Sequence, residues 1–178
     1  MEIAQLQPLV RTVPDFPKPG IQFRDITTLI GHGEGLASTI DHLAGRAEAM
    51  GAKAIAGMEA RGFIFGAAVA VQLKLPFILI RKPGKLPVET IGVEYELEYG
   101  TDRLELDPLS VNDGENVVIV DDLIATGGTA EAAITLLRQA GAKVDNALFV
   151  IDLPDLGGAA RLSRLNVAVT ALMDFEGD

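Results

Sequence analysis

Two adjacent aspartates and the glycine-rich segment behind them are the residues of this sequence best suited to binding a ligand. Asp121 and Asp122 follow the apolar run 117–120, and the segment 125–129, Ala-Thr-Gly-Gly-Thr, begins after two more apolar residues. Glycines let a backbone approach a ligand closely, and the free N–H groups at the start of a helix attract an oxyanion such as phosphate. The segment 125–129 is therefore predicted to bind a phosphate group beside a pair of carboxylates.

The residues around this segment exclude two other phosphate-binding motifs. No Gly-Lys-Ser/Thr follows the glycines, so it is not a Walker A loop, and the spaced third glycine of a dinucleotide fingerprint is absent. An ordinary strand-to-helix turn with an acidic cap remains the alternative interpretation of the glycines and hydroxyls. The neighbouring pair of aspartates favours the binding site over that turn.

Charged residues also follow two other predicted strands, 52–58 and 76–80. They are Glu59 and Arg61, with Ala60 between them, and then Arg81, Lys82 and Lys85. The carboxyl ends of parallel strands meet at one edge of a sheet, where open α/β folds bind their ligands. A polyphosphate needs such cations, although a structural arginine and a solvent-exposed basic loop are the plain alternatives.

The composition limits the classes of protein to which the chain can belong. With 178 residues, 48% of them hydrophobic and 22% charged, it is expected to form one globular domain, 1–178. It contains no apolar run long enough to cross a membrane and no signal-peptide pattern, so a cytoplasmic location without a membrane partner is expected. The net charge of −10 argues against a nucleic-acid partner. Without cysteine and with two histidines, any metal should be a hard, oxygen-bound ion such as Mg²⁺.

Alternating strand and helix patterns must position these residues. Strands are expected at 52–58, 76–80, 117–120, 145–153 and 167–172, and helices at 35–50, 63–73, from 130 to a stop at Gly141, and at 157–165. Right-handed crossovers would arrange them as an α/β fold, a mainly parallel sheet with helices on both faces. Region 81–106, with extended arms at 90–98 and 101–106, interrupts the alternation and is predicted to be a flexible β-hairpin lid.

The N-terminal region 1–34 has a different pattern. Residues 2–13 are expected to form a short amphipathic helix, weakened at Pro8. In the segment 15–25, two prolines and a glycine exclude regular helix, so a constrained loop carrying Phe23 and Arg24 is predicted. Taken alone, such a loop is also consistent with a purely structural turn.

The string 117–130 resembles the phosphoribosyl pyrophosphate signature of type I phosphoribosyltransferases, and 59–62 matches that family's first pyrophosphate loop. The resemblance implies that Asp121 and Asp122 hold the ribose 2′- and 3′-hydroxyls. The residues it assigns to the 5′-phosphate are Ala125, Thr126, Gly127, Gly128 and Thr129. Those it assigns to the diphosphate are Glu59, Ala60, Arg61, Arg81, Lys82 and Lys85.

Two further segments are similar to the adenine phosphoribosyltransferases in particular: the loop 15–25 and the residues 97–100. The match implies a base site at which Phe23 stacks on the purine, Arg24 shapes its edge contacts and Ile124 lies close by. It also implies that Glu98 lies near the base and Tyr99 near the diphosphate. The expected catalytic residues are Arg61, Lys85, Glu98 and Tyr99.

The family resemblance implies a reaction, a cofactor and partners. Adenine and phosphoribosyl pyrophosphate would give AMP and pyrophosphate, with Mg²⁺ carried by the substrate close to Asp121 and Asp122, and the relatives suggest a homodimer. One rival is an enzyme for 6-oxopurines or orotate, against which the loop 15–25 counts. The other rival is a non-catalytic regulator that senses the same substrate and binds DNA, against which the acidic charge counts.

Overall fold

A parallel sheet of five strands forms the centre of the computed structural model, which describes residues 1–96 and 100–177. In spatial order the strands are β4 (Phe77–Ile80), β3 (Ala54–Met58), β7 (Asn116–Ile124), β8 (Lys143–Asp152) and β9 (Ala168–Asp174). Every neighbouring pair is parallel. The carboxyl ends of these strands therefore lie at one edge, as predicted.

Each face of the sheet is covered. The helices are α1 (Ile3–Leu6), α2 (Thr27–Ile30), α3 (Gly33–Ala49), α4 (Arg61–Leu73), α5 (Gly128–Gln139) and α6 (Gly158–Ser163). Val118 and Val120 pack with residues of α3 and α4, whereas Val117 and Ile119 pack with residues of α5. This alternation explains why the run 117–120 is apolar at every position, because a strand covered on both faces has no solvent side.

The strand β7 is longer than the expected 117–120. It continues to Ile124, with Asp121 paired to Phe149 and Ile124 paired to Asp152 of β8. The aspartates therefore lie within the strand, not behind it, since backbone pairing with β8 holds polar residues in extended geometry as firmly as apolar ones.

Residues 91–96 and 101–106 form the predicted hairpin, β5 (Ile91–Glu96) and β6 (Thr101–Leu106). Tyr95, Leu104 and Leu106 are buried in the core that contains the inner face of α5. Arg81 joins the hairpin through two backbone hydrogen bonds to Glu105, of 2.8 Å each. The hairpin therefore packs against the body of the molecule in this structure.

The N-terminal region departs from the expected helix 2–13. Helix α1 ends at Leu6, a 3₁₀ turn follows at Gln7–Leu9, and β1 (Arg11–Pro14) pairs antiparallel with β2 (Gln22–Asp25). Pro8 lies within the 3₁₀ turn, where its missing N–H costs little. The predicted loop 15–25 therefore contains half of a small two-stranded sheet.

None of the helices in the described ranges is both long and apolar enough to span a membrane.

Candidate active site

The two aspartates of β7 lie at the carboxyl edge of the sheet. Asp122 is 3% exposed, and its Oδ2 atom lies 3.0 Å from Nε of Arg61, the first residue of α4. That oxygen nevertheless has no hydrogen-bond partner among the described residues, so the contact is an ion pair without hydrogen-bond alignment. A buried carboxylate oxygen left in this state is available to a ligand.

Burial makes this pair of carboxyl groups costly to charge. Burial raises the pKa of Asp121 well above its usual range, and the neighbouring charge of Asp122 raises it further. Burial also raises the pKa of Asp122, while the guanidinium of Arg61 opposes that shift. Ligand hydroxyls or a cation would relieve the cost, because both favour the charged carboxylates.

Gly62 allows α4 to begin directly against this pair. A Cβ at position 62 would lie 2.6 Å from Oδ1 of Asp121, closer than two such atoms can approach. Asp121 uses the same oxygen to accept a 2.8 Å hydrogen bond from the backbone N–H of Asp122. Gly62 is thus a further residue of the site, and its place after Arg61 in the predicted pyrophosphate loop was the signal for it in the sequence.

The segment 125–129 forms the predicted cradle at the start of α5. A cavity lies over it, and its lining includes Asp121 and all five residues of the segment. Gly127 has φ +78°, in the left-handed region that favours glycine, and α5 begins at Gly128. No side chain in the described ranges caps this helix, so its first N–H groups remain available to an anion.

The cradle rests on the start of α6. A Cβ at Gly158 would lie 2.3 Å from the carbonyl oxygen of Ala125, and a Cβ at Gly127 would lie 3.0 Å from the Cα of Gly158. Arg161 of α6 forms an ion pair with Glu131 in the first turn of α5. The role of α6 could not be predicted from the sequence, because no local pattern shows that this helix packs against the segment 125–129.

A second cavity, of about 410 Å³, adjoins the cradle and has a largely apolar lining. The lining residues are Ile21, Gln22, Phe23, Arg24, Arg61, Leu123, Ala125, Thr126, Leu153 and Leu156. Ala125 and Thr126 border both cavities. A flat aromatic ring in the second cavity would therefore lie next to a sugar phosphate in the first.

Leu123, and not Ile124, lies with Phe23 in the lining of this cavity. Successive side chains of a strand point to opposite sides. Ile124 accordingly faces the α5 side, where it is 2% exposed and belongs to the core. Ile124 also lines the first cavity, over the cradle, so its role as a base contact stays a prediction.

The side chain of Arg24 contacts other parts of the chain. It donates hydrogen bonds of 2.6 Å to Oγ1 of Thr12 and to the carbonyl oxygen of Glu176, and its guanidinium lies 4.9 Å from the ring centroid of Phe175. The contacts of this side chain are thus with β1 and with the C-terminal segment. Phe23 itself meets Phe16 edge to face, with 5.2 Å between ring centroids.

The predicted diphosphate residues lie along the edge next to these cavities, and most of their charges are paired internally. Arg81 forms an ion pair with Glu59 at 3.2 Å, and Lys82 pairs with Asp102. Burial lowers the pKa of Lys82, but its hydrogen bonds to Asp102 and Tyr95 outweigh burial, so its pKa is raised. Lys85 lies in the same loop, where its carbonyl oxygen accepts a hydrogen bond from Arg81.

Two of the predicted catalytic residues, Glu98 and Tyr99, lie outside the described residues. The strand β5 ends two residues before Glu98, and its last residue lies close to the cradle. A Cβ at Gly128 would be 3.7 Å from the carbonyl oxygen of Glu96. Within the described ranges, no group of three or more His, Cys, Asp or Glu side chains could hold a metal ion by itself.

Comparison with known proteins gives consistent matches over nearly the whole chain. A family model described as a phosphoribosyl transferase domain matches residues 25–157. Adenine phosphoribosyltransferases of Erythrobacter litoralis and Novosphingobium aromaticivorans are 69% and 68% identical, each over 99% of both chains. The crystal structure of adenine phosphoribosyltransferase from Thermoanaerobacter pseudethanolicus superposes with a TM-score of 0.92 at 43% identity, covering 97% of this chain and 99% of its own. The Saccharomyces cerevisiae enzyme, crystallised with an imino-altritol bisphosphate and adenine, gives 0.90 at 37% identity, covering 96% and 98%.

Proposed function

The chain belongs to the phosphoribosyltransferase family and, within it, to the adenine phosphoribosyltransferases, and from this premise we propose how its residues carry out the reaction. It is a pentosyltransferase that transfers the 5-phosphoribosyl group of phosphoribosyl pyrophosphate to adenine, giving AMP and pyrophosphate. The observation that supports the assignment of residues best is the adjacency of an apolar cavity, a phosphate cradle and the carboxylates of Asp121, which lines the cradle cavity, and its buried neighbour Asp122.

The sugar phosphate is proposed to bind across Asp121, Asp122 and the cradle. The free N–H groups at the start of α5 bind the 5′-phosphate, and Gly127 keeps the backbone open to it. The carboxylates accept hydrogen bonds from the ribose 2′- and 3′-hydroxyls, which stabilises their charged forms. Their negative field also stabilises the oxocarbenium character that develops at C1 as the bond to pyrophosphate loosens.

The purine is proposed to lie between Phe23 and Leu123. Both side chains line the apolar cavity, and its volume of about 410 Å³ lies within the range usual for small-molecule sites. Two apolar surfaces facing a flat ring orient it without an ionic contact. N9 of the base then points towards the sugar, since Ala125 and Thr126 border both cavities.

The pyrophosphate leaving group is proposed to bind at Arg61, Arg81, Lys82 and Lys85. These cations follow β3 and β4, so they lie at the same edge of the sheet as the aspartates. A diphosphate that leaves the sugar along this edge would meet them. Their positive charge offsets the negative charge that builds on the diphosphate as the C1–O bond breaks. Glu59 and the backbone at Ala60 complete this loop.

Mg²⁺ is proposed as the cofactor, held by Asp121, Asp122 and substrate oxygens. The donor set fits the ion, because both side chains offer carboxylate oxygens and one of these is buried without a hydrogen-bond partner in the described ranges. When bound, the ion would offset the negative charge of the diphosphate. The protein's own part is to supply two oriented carboxylates and leave the other ligand positions to substrate and water.

The region 81–106 is proposed to act as a lid on the single domain 1–178. Its arms pack against α5 next to the cradle, so a small movement would cover or uncover the sugar site. Closure would bring Glu98 to the purine, where a carboxyl group can move a proton at N7 or N9, and Tyr99 to the diphosphate.

A homodimer in the cytoplasm is proposed as the working form. Ile64 and Val71 lie seven residues apart on one face of α4 and are 40% and 79% exposed, and Leu79 of the edge strand β4 is 39% exposed. An apolar helix face beside an apolar edge strand is a surface that a second copy of this chain would cover. Sedimentation velocity should show a dimer that Val71→Glu converts to a monomer, whereas a monomeric wild-type chain would refute the proposal.

A panel of bases tests the function directly. With phosphoribosyl pyrophosphate and Mg²⁺, the protein should form AMP from adenine far faster than IMP, GMP, XMP or OMP from their bases. Faster formation of IMP or GMP would favour the 6-oxopurine alternative, and the absence of every product together with DNA binding would favour the regulator. Asp122→Asn serves as the inactive comparison in each assay, since it keeps the side-chain volume and removes the charge.

A further inference from the structure

The C-terminal segment Phe175–Gly177 holds the side chain of Arg24 from one side. The guanidinium lies 4.9 Å from the ring centroid of Phe175, and Nη2 donates a 2.6 Å hydrogen bond to the carbonyl oxygen of Glu176. From the other side, Nη1 donates a 2.6 Å hydrogen bond to Oγ1 of Thr12. Three contacts from two separate parts of the chain thus fix one side chain of β2.

The segment is itself anchored at the carboxyl edge of the sheet. The backbone N–H of Phe175 donates to the carbonyl oxygen of Asp152 at 3.1 Å, which continues the pairing of β8 and β9 by one step. The backbone N–H of Gly177 donates to Oδ2 of Asp155 at 2.8 Å. Asp155 lies in the same short turn, Pro154–Leu156, as Leu156 of the base cavity. The segment therefore connects the central sheet to the wall of that cavity.

Arg24 stands beside Phe23 on β2, and neighbouring residues of a strand point to opposite sides. A side chain fixed at Arg24 therefore limits the rotation and translation of the backbone that carries Phe23. The strand needs such support, because β1 and β2 form a separate two-stranded sheet, and sheets of that size are only marginally stable on their own.

We propose that Phe175 and Glu176 are positioning residues for the base site, which act through Arg24 to keep Phe23 and the backbone of β2 in place for the purine. The proposal rests on the function given above and adds to it a part of the chain that does not line the base cavity. A base site held in its binding conformation binds more tightly than one that occupies this conformation for only part of the time. The positioning role of Phe175 and Glu176 should therefore affect the affinity for adenine and leave the rate of the reaction at C1 unchanged.

The decisive variant is Phe175→Ala, which removes the aromatic face and leaves the backbone contacts. It should raise KM for adenine by roughly 3- to 30-fold, the range of a partly desolvated cation–π contact. KM for phosphoribosyl pyrophosphate and kcat should stay within about twofold, because the cradle and the aspartates do not contact this segment. Phe175→Tyr, which retains the ring, should restore KM for adenine.

Two further variants keep the test decisive. Thr12→Val removes the opposite contact of Arg24 and should raise KM for adenine in the same direction, even if Phe175→Ala fails to fold. Leu109→Ala, at a residue 92% exposed, is the control and should change nothing. The proposal is overturned if Phe175→Ala and Thr12→Val both leave KM for adenine unchanged. It is also overturned if kcat and the melting temperature fall together in both of these variants.

Amide hydrogen exchange separates this proposal from the function on which it rests. Phe175→Ala should speed exchange at residues 22–25 and leave exchange at β3 and β7 unchanged, and this holds whichever base the enzyme uses. Unaltered exchange at 22–25 would overturn the positioning role with the assigned activity intact. A wild-type chain that forms no AMP would overturn the assigned activity, and the exchange data would still decide whether Phe175 holds β2.

Discussion

Replacing Asp121 by Asn should make the protein more stable and far less active. The side chain is half-buried beside a second carboxyl group, and this desolvation together with the neighbouring charge raises the pKa of Asp121, so its charged form is disfavoured in the folded state. Asn keeps the shape, and its oxygen can still accept the hydrogen bond from the N–H of Asp122. Removing a poorly compensated buried charge should increase the free energy of unfolding by about 1–3 kcal/mol. At roughly 2–4 °C per kcal/mol for a chain of this size, the melting temperature should rise by several degrees.

The gain should depend on pH in a definite direction. Folding raises the pKa of Asp121 above its ordinary value of 3.8. The stability that its protonated form contributes is therefore fully present below that ordinary pKa and is lost as the pH rises through the folded-state pKa. The advantage of Asp121→Asn over wild type should therefore be largest at pH 8 and shrink as the solution becomes acidic. Both proteins must be measured without Mg²⁺ or substrate, since either would stabilise the charged pair.

Chemical denaturation at several pH values, combined with steady-state kinetics, checks this prediction. Turnover in Asp121→Asn should fall by roughly 10²-fold or more, the usual loss when a group that stabilises the transition state is removed. Asp145→Asn is the matched control, because Asp145 forms an exposed ion pair with Lys143 and should shift stability by less than about 0.5 kcal/mol. A variant less stable than wild type at pH 8, or a gain that is constant with pH, would refute the reasoning.

Three other outcomes are expected. Gly158→Ala should raise KM for phosphoribosyl pyrophosphate by roughly tenfold or more, since the new Cβ would press on the carbonyl of Ala125 in the cradle, and kinetics with each substrate varied in turn would detect it. Hydrogen bonds from Thr27 lower the pKa of Asp25 to about 2, so its stabilising effect is present above its ordinary value of 3.8 and is lost as the pH falls towards 2. Asp25→Asn should accordingly lower the free energy of unfolding more at pH 6 than below pH 4, as measured by denaturation. Glu98→Gln should lower kcat by about 10²- to 10⁴-fold with little change in AMP affinity, and an unchanged kcat would remove Glu98 from the mechanism.

The sequence was sufficient for those parts of the fold and site that depend on local pattern. The glycines, hydroxyls and carboxylates between 121 and 129 are contiguous, and backbone rules alone indicate a strand, a loop and a helix start. The charged residues behind β3 and β4 followed from the same rule. Pairing of neighbouring strands then brought all these predicted residues to one edge.

The sequence was insufficient where the outcome depends on which distant surfaces meet. The position of Gly158 against the cradle and the use of Arg24 by the C-terminal segment are long-range contacts without a local pattern. Which of Leu123 and Ile124 lines the same cavity as Phe23 depended on the extent of β7, because successive side chains of a strand point to opposite sides. The same limit explains why helix 2–13 was wrong: pairing with β2 converted its second half into a strand.

The internal ion pairs at the edge explain how an acidic chain binds a highly charged anion. Arg81 and Lys82 form ion pairs with Glu59 and Asp102, and these carboxylates reduce the repulsion between the two cations. On the proposed assignment, the diphosphate would replace those carboxylates as the partner of each cation. The net charge of −10 is therefore compatible with binding phosphoribosyl pyrophosphate, since the local arrangement of charges decides the affinity.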